Sequence, residues 1–236
     1  SLVTYSGGDI TTGPITITAD DDSYASAYLD IDASGSLTVD GNILLSANAS
    51  ASGTSEMQAY AFADIDAVGD IYLDGDVTIE AIARNSIGKW ARTDAYLLAT
   101  AGGDLTITGN TLVSADATIL SSPSGYSAAT AYASAYADLD DSWSVAMSLG
   151  PVTVEAIAIN SADFGDNAIA SANLYANANS GNLIITGPVN VTADATFNGN
   201  ASAATSGFFA YANAAALASA YAELGALKDI AITGDV

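Results

Sequence analysis

The sequence predicts an all-β fold, namely a β-solenoid of the parallel β-helix type with about six or seven coils. Three observations support this prediction: a phrase opening with Gly recurs along the chain, its early copies are evenly spaced, and residues within each copy alternate with a period of two. Gly35, Gly69 and Gly103 open three of these copies, and both intervals are 34 residues. Matched residues at a repeated spacing indicate stacked structural units rather than low-complexity sequence.

The recurring phrase consists of Gly, then Asp, Asn or Ser, then alternating aliphatic residues around a second Gly. A stride of 34 residues has roughly 110 Å of extended contour, which suits one coil with two or three sides. Later strides are longer, which predicts inserted loops such as 121–126. A sandwich of stacked β-hairpins is the alternative, because Gly-Asp and Gly-Asn pairs also form hairpin turns. The copies lie at 8–20, 35–49, 69–83, 103–117 and 181–195, with a degenerate copy at 143–158 and a truncated copy at 229–236.

Alanine alternates with larger residues in the segments between these copies. Every even position from 210 to 222 is Ala, and the same alternation occurs at 131–137 and 25–33. Alanine favours helix, so a helix at 208–222 is the alternative, but an alternation of two places one residue class on one face of a strand. We therefore expect strands whose alanines line a thin interior, with sheets closer than the usual ~10 Å. Tyr and Asp are then expected to face solvent.

Composition narrows the classes of function. The chain carries a net charge of −23 with four Lys and Arg, no His and no Cys. Nucleic acid is not expected as a partner because its phosphates would be repelled, and membrane insertion is not expected because no apolar run is long enough. The usual general base, zinc ligand and nucleophilic thiol are all missing, so we expect no enzyme and no cofactor. An acidic chain of this composition is typical of an extracellular or cell-surface protein.

Paired carboxylates precede several of the Gly positions that open the copies. In a solenoid these side chains stack coil on coil, where like charges repel by about 1 kcal/mol in water. Calcium accepts carboxylate ligands in flexible geometry and would relieve this repulsion. The other interpretation is a solvated acidic face that keeps the protein soluble. The candidate calcium ligands are Asp30, Asp32, Asp64, Asp66, Asp138 and Asp140.

Aromatic residues form a second column on the same strand face. Each lies seven residues before the position that opens the following copy, and together they predict an outward aromatic ladder. Such a ladder either stiffens the coils by ring stacking or offers a contact surface for glycan or for a neighbouring chain. Its members are Tyr28, Phe62, Tyr96 and Tyr136.

Four copies of the phrase begin with residues such as Gly-Asp-Leu and Gly-Asn-Leu and lie at 35–49, 69–83, 103–117 and 181–195. They resemble the repeat regions of large secreted bacterial exoproteins of the filamentous-haemagglutinin type. This resemblance implies a right-handed parallel β-helix and an adhesive role at the cell surface. It transfers no functional residues.

The two ends of the sequence suggest assembly. The last residues stop within a phrase, and joining them to the first residues keeps the alternation, which predicts one β-repeat domain over 1–236 with uncapped ends. We expect a non-catalytic structural or adhesive protein that assembles end to end with copies of itself, or forms part of a longer array. The alternatives are a carbohydrate-binding module, with or without bound calcium, and a β-helix that cleaves polysaccharide through an Asp pair. The residues expected at the assembly ends are Leu2, Ile230, Ile232 and Val236.

Overall fold

The computed structural model describes residues 1–51, 56–121, 129–142, 146–162, 165–198 and 215–234. These residues form twenty β-strands in three sheets. Sheet A contains β1 (Leu2–Ser6), β4 (Tyr24–Ala33), β7 (Glu56–Ala67), β10 (Trp90–Ala101), β13 (Ala129–Asp141), β16 (Gly165–Ala178) and β19 (Ala215–Ala226). Sheet B contains β2 (Ile10–Thr12), β5 (Leu37–Asp40), β8 (Ile71–Asp74), β11 (Leu105–Ile107), β14 (Ala146–Leu149), β17 (Asn182–Ile185) and β20 (Ile230–Ile232). Sheet C contains β3 (Ile15–Asp21), β6 (Ile43–Ala51), β9 (Val77–Asn85), β12 (Thr111–Ile119), β15 (Val152–Asn160) and β18 (Val189–Phe197).

The chain visits sheets A, B and C in turn and then returns to sheet A, so each cycle is one coil with three sides. Each strand pairs in parallel with the equivalent strand of the neighbouring coil, as β7 does with β10 and β9 does with β12. This arrangement confirms the predicted solenoid. It excludes the stacked-hairpin sandwich, because the two strands of a hairpin run antiparallel. Each copy of the recurring phrase supplies the sheet B strand, a corner and the sheet C strand.

The interior is thin where alanine fills it. Ala61, Ala95 and Ala135 lie in register on neighbouring strands of sheet A, and all three are fully buried. Cα atoms of sheets A and C approach within 8 Å of each other, whereas packed sheets usually lie about 10 Å apart. In a cross-section through one coil, the short sheet B closes one end of the interior, and its buried side chains are larger, as Leu37 and Ile71 are. The prediction that alanines line the interior is therefore confirmed.

The alanine-rich segment predicted as a strand at 208–222 is extended in its described part, where β19 begins at Ala215. The predicted loop at 121–126 and the degenerate copy beginning at Trp143 lie partly outside the described residues, and Val236 lies wholly outside them. No helix that could cross a membrane occurs in the described ranges.

Candidate functional surface

The Asp, Asn or Ser that follows the first Gly of each phrase forms a ladder between coils. Its side-chain oxygen accepts a hydrogen bond from the backbone N–H of the equivalent residue in the next coil. The bonds run from Ser36 N to Asp9 Oδ1 (2.8 Å), from Asp70 N to Ser36 Oγ (3.1 Å) and from Asp104 N to Asp70 Oδ1 (2.9 Å). The preceding glycine leaves room for this oxygen, since a Cβ on Gly69 would lie 2.5 Å from Ser36 Oγ. The Gly-Asp pairs are therefore corner ladders and not hairpin turns.

A second ladder follows the corner between sheets B and C. Asn42 Oδ1 accepts from Asp76 N at 2.9 Å, and Asp76 Oδ1 accepts from Asn110 N at 2.8 Å. Sequence reasoning missed both ladders, although the fixed Gly-polar pair at each corner was their signal. The polar side chains of both ladders therefore hold neighbouring coils together, whereas the composition alone indicated only an acidic surface.

The predicted aromatic ladder is present on the outer face of sheet A. Ring centroids of Tyr28 and Phe62 lie 5.4 Å apart with nearly parallel planes, and Phe62–Tyr96 and Tyr96–Tyr136 follow at 6.2 and 5.9 Å. All four rings are half-buried by one another, whereas the alanines beside them point inward. Such contacts add about 0.5–1.5 kcal/mol per pair beyond area burial. The use of this ladder as a contact surface stays a prediction.

The aromatic ladder extends two coils beyond Tyr136, the last of the four predicted rings. Tyr175 contacts Tyr136 at 5.5 Å on one side and Tyr221 at 5.5 Å on the other. The residue of β16 in register with Tyr136 is Asn173, and Tyr175 lies two positions later on the same face. A search for one fixed spacing misses this ring, because a displacement of two residues preserves the face and the contact while changing the register.

Phenols of this surface donate to carboxylates two residues further along the same strand. Tyr136 Oη donates to Asp138 Oδ2 at 3.0 Å, and Tyr221 Oη donates to Glu223 Oε2 at 2.8 Å. Burial, followed by the hydrogen bond to Asp138, raises the pKa of Tyr136 to about 12. The phenols therefore remain protonated at neutral pH, and each has an anionic acceptor in contact.

The predicted Asp columns also stack in part. Asp30 lies in register with Asp64, and Asp32 lies in register with Asp66. The next strand interrupts both columns, because it has Leu98 and Thr100 at these positions. The columns resume one strand later with Asp138 and Asp140. Within the described residues, no group of three or more acidic side chains is gathered so that it could hold a metal ion. The calcium hypothesis thus stays a prediction without a ligand cluster behind it.

Burial of the Asp side chains in these columns disfavours their ionised form. The pKa of Asp66 is raised, first by burial and then by the neighbouring Asp32 and Asp30, although Thr100 opposes the shift with a hydrogen bond. The pKa of Asp64 is raised by burial and then by Asp66 and Asp30. Folding therefore holds these carboxylates closer together and less hydrated than the unfolded chain does, so their ionisation costs stability.

Replacing Asp66 with Asn is expected to stabilise the protein at neutral pH by on the order of 1 kcal/mol at low salt, because it removes one charge from the stack. Asn177 already occupies the register position beside Asp140 in β16, so the amide suits this column. The folded pKa is raised above the usual carboxyl value of 3.8. Between the usual carboxyl value and the raised pKa, the folded state binds more protons than the unfolded state. The stability of the wild-type protein therefore falls as the pH rises through this range.

Thermal melts followed by circular dichroism at pH 3 to 8 would measure this effect; the gain should be present at neutral pH and vanish below the carboxyl range. Asp22→Asn is the matched control, since Asp22 is exposed and the change in net charge is the same. Equal melting temperatures for the two variants at neutral pH would contradict the prediction.

Arg92 forms a clamp beside the aromatic ladder. Its Nε donates to Asp94 Oδ2 at 2.7 Å, and its guanidinium lies between the rings of Tyr60 and Tyr132, at 5.7 and 5.4 Å from their centroids. The Asp94 side chain is 2% exposed. The hydrogen bond to Asp94 raises the pKa of Arg92, so the guanidinium keeps its charge beside this buried side chain. A shallow depression of about 350 Å³ lies beside the clamp, lined by Trp90, Arg92, Thr130 and Tyr132.

Comparison with family models, curated proteins and solved structures finds no match. The resemblance to repeat regions of the filamentous-haemagglutinin type therefore stays a prediction.

The residues predicted at the assembly ends lie on the outermost described strands. Leu2 points inward, in register with the fully buried Leu29, yet it is 40% exposed. Ile230 points inward in register with Leu183 and is 47% exposed, while Ile232 is half-buried. Their side chains have the orientation of core residues, but no strand of a further coil covers them among the described residues.

Proposed function

We propose that this chain is a non-catalytic structural segment of an extracellular, cell-surface protein. The segment lengthens when the coils of another copy stack onto its outermost coil. The observation that supports this most directly is the exposure of inward-facing apolar residues on both outermost coils. Leu2 and Ile230 are exposed where their in-register partners Leu29 and Leu183 are fully buried. Burying a fully exposed aliphatic side chain contributes about 1.5–3 kcal/mol, and covering these partly exposed side chains contributes a part of that in favour of a further coil.

Backbone edges favour the same extension. Within the described residues, β1 is paired only with β4 and β19 only with β16, so one side of each carries donors and acceptors in the pattern of a parallel ladder. A parallel strand from another coil satisfies these groups without any change in the edge. The result would be an open, head-to-tail stack rather than a closed ring.

The ladders support a mechanical role for such a stack. Three backbone sheets, two corner ladders and one aromatic ladder join neighbouring coils, so a bend of the axis would stretch several of them together. The net charge of −23 keeps neighbouring rods apart. The aromatic face of sheet A would then be the surface that a rod presents to a binding partner, which is where an adhesive role would reside.

Purified chain is expected to form rods that lengthen with protein concentration, as seen by negative-stain microscopy and light scattering after size-exclusion chromatography. Ile230→Asp should shift the distribution to single particles, because it places a charge where a coil would be covered. Ile87→Asp is the matched control, since Ile87 is 45% exposed but lies away from the outermost coils. Single particles of wild-type protein at the highest concentration, or equal loss of rods in both variants, would contradict the proposal.

A further inference from the structure

Four tyrosines follow one another without interruption along the outer face of sheet A. The ring centroids of Tyr96 and Tyr136 lie 5.9 Å apart, those of Tyr136 and Tyr175 lie 5.5 Å apart, and those of Tyr175 and Tyr221 also lie 5.5 Å apart. The planes are tilted by 42° to 47°, so ring edges and not only ring faces approach one another. The rings of neighbouring coils are thus held side by side in a tilted arrangement.

Two of these phenols are equipped to lose a proton. Tyr136 and Tyr221 donate to Asp138 and Glu223 at 3.0 and 2.8 Å. A neutral phenol is hard to oxidise unless its proton leaves together with the electron, and a carboxylate at hydrogen-bond distance is a proton acceptor already in position. Burial and this hydrogen bond raise the pKa of Tyr136, so the group that meets an oxidant at neutral pH is the neutral phenol with its acceptor.

We propose that Tyr136, Tyr175 and Tyr221 form a site of oxidative cross-linking, at which a one-electron oxidant joins phenols of neighbouring coils into dityrosine. The oxidant class is a haem peroxidase acting with hydrogen peroxide. This inference goes beyond the proposed structural role and does not depend on end-to-end assembly, because the bond forms within one chain.

The chemistry balances as follows. Each phenol loses one electron to the oxidant and one proton to its carboxylate or to water, which leaves a neutral phenoxyl radical on each ring. The two radicals combine through the ring carbons ortho to the oxygens, and one C–C bond forms. Each joined carbon then loses its hydrogen as the hydroxyl group is restored. In total the pair loses two electrons and two protons, and one hydrogen peroxide accepts them to become two water molecules.

The chain contains an internal comparison for this site. Tyr24 and Tyr60 lie 5.6 Å apart with the same tilt of 42°, but Tyr60 donates to the amide oxygen of Gln58 and not to a carboxylate. Phe62 separates Tyr28 from Tyr96 and supplies no phenol. Cross-linking should therefore concentrate on the coils of β13, β16 and β19.

The test is to treat the full chain at neutral pH with a haem peroxidase and hydrogen peroxide, then to separate monomer from larger species under denaturing conditions. We expect dityrosine fluorescence in the monomer fraction. Cleavage at Asp and Glu should yield joined peptides containing Tyr136 with Tyr175 or Tyr175 with Tyr221, lighter than their sum by two hydrogens. Dityrosine that is absent from the monomer fraction, or found only between chains, would overturn the proposal.

Tyr175→Phe removes two of the four tyrosine–tyrosine contacts described here while keeping the ring, so it should lose at least about half of the intramolecular dityrosine. Tyr72→Phe is the matched control, since Tyr72 is 42% exposed in sheet B and has no ring contact among the described residues. Circular dichroism would establish that both variants are folded. An equal yield from the two variants would also overturn the assignment.

Discussion

Replacing Ala95 with Leu is expected to destabilise the protein by roughly 3 kcal/mol, because overpacking a closely packed interior forces side chains and backbone to shift. Ala95 is fully buried and lies in register between Ala61 and Ala135, so its column contains only methyl groups for three successive coils. Sheets A and C approach within 8 Å between Cα atoms, which leaves no space for three further carbons. Urea denaturation followed by circular dichroism would measure the loss.

Ala99→Leu is the control for this experiment. Ala99 lies on the same strand and is equally buried, but its neighbours in register are Ile65 and Leu139. The interior at that column already accommodates branched side chains, so the same substitution should cost much less. Equal destabilisation by the two variants would show that the alanine columns do not set the distance between the sheets.

Replacing Gly75 with Ala is expected to cost roughly 3 kcal/mol, since it combines an unfavourable backbone conformation with a steric clash. Gly75 has φ near +150°, which residues with a side chain rarely adopt. A Cβ there would lie 2.7 Å from the carbonyl carbon of Gly41 in the neighbouring coil, and this contact is with backbone rather than with a flexible side chain. The melting temperature and the urea midpoint should both fall.

Gly13→Ala is the control that lacks both features, since Gly13 is not among the glycines with a positive φ. Gly13 occupies the equivalent corner before β3, but a Cβ there would have no atom within 4 Å because no coil lies beneath it in the structure. Its replacement should leave stability nearly unchanged. A loss in Gly13→Ala as large as that in Gly75→Ala would contradict the prediction, because neither the backbone conformation nor the contact between coils could then explain it.

Alternation and even spacing were sufficient to predict the solenoid, the buried alanines and the outward tyrosines, because each of these depends on residues close together in the sequence. Period two fixes which side chains share a face, and the 34-residue stride fixes which residues stack. Ala135 and Tyr136 are the clearest cases, since adjacent residues point to opposite faces and both were placed correctly.

Contacts between coils that join unlike residues, or residues displaced from the register, were not predicted. Tyr175 joins the aromatic ladder although its position is displaced by two residues, and only the ring contacts reveal it. The Arg92 clamp needs Tyr60 and Tyr132, which come from the strands on either side. The corner ladders required knowledge that each Asp or Ser side chain reaches the backbone of the next coil, as Asp70 does with Asp104. Spacing alone does not show which of two stacked polar residues donates and which accepts.

The hydrogen bonds between coils run along the direction in which the coils are stacked, and this determines how the protein would respond to tension. Tension applied to the two ends of the stack acts on every interface between coils, but an outermost coil is held by a neighbour on one side only and is the first to detach. Coils would detach one after another instead of yielding together. Each detached stride would release roughly 110 Å of chain, so the molecule could lengthen in steps and absorb mechanical work while the remaining coils stay folded.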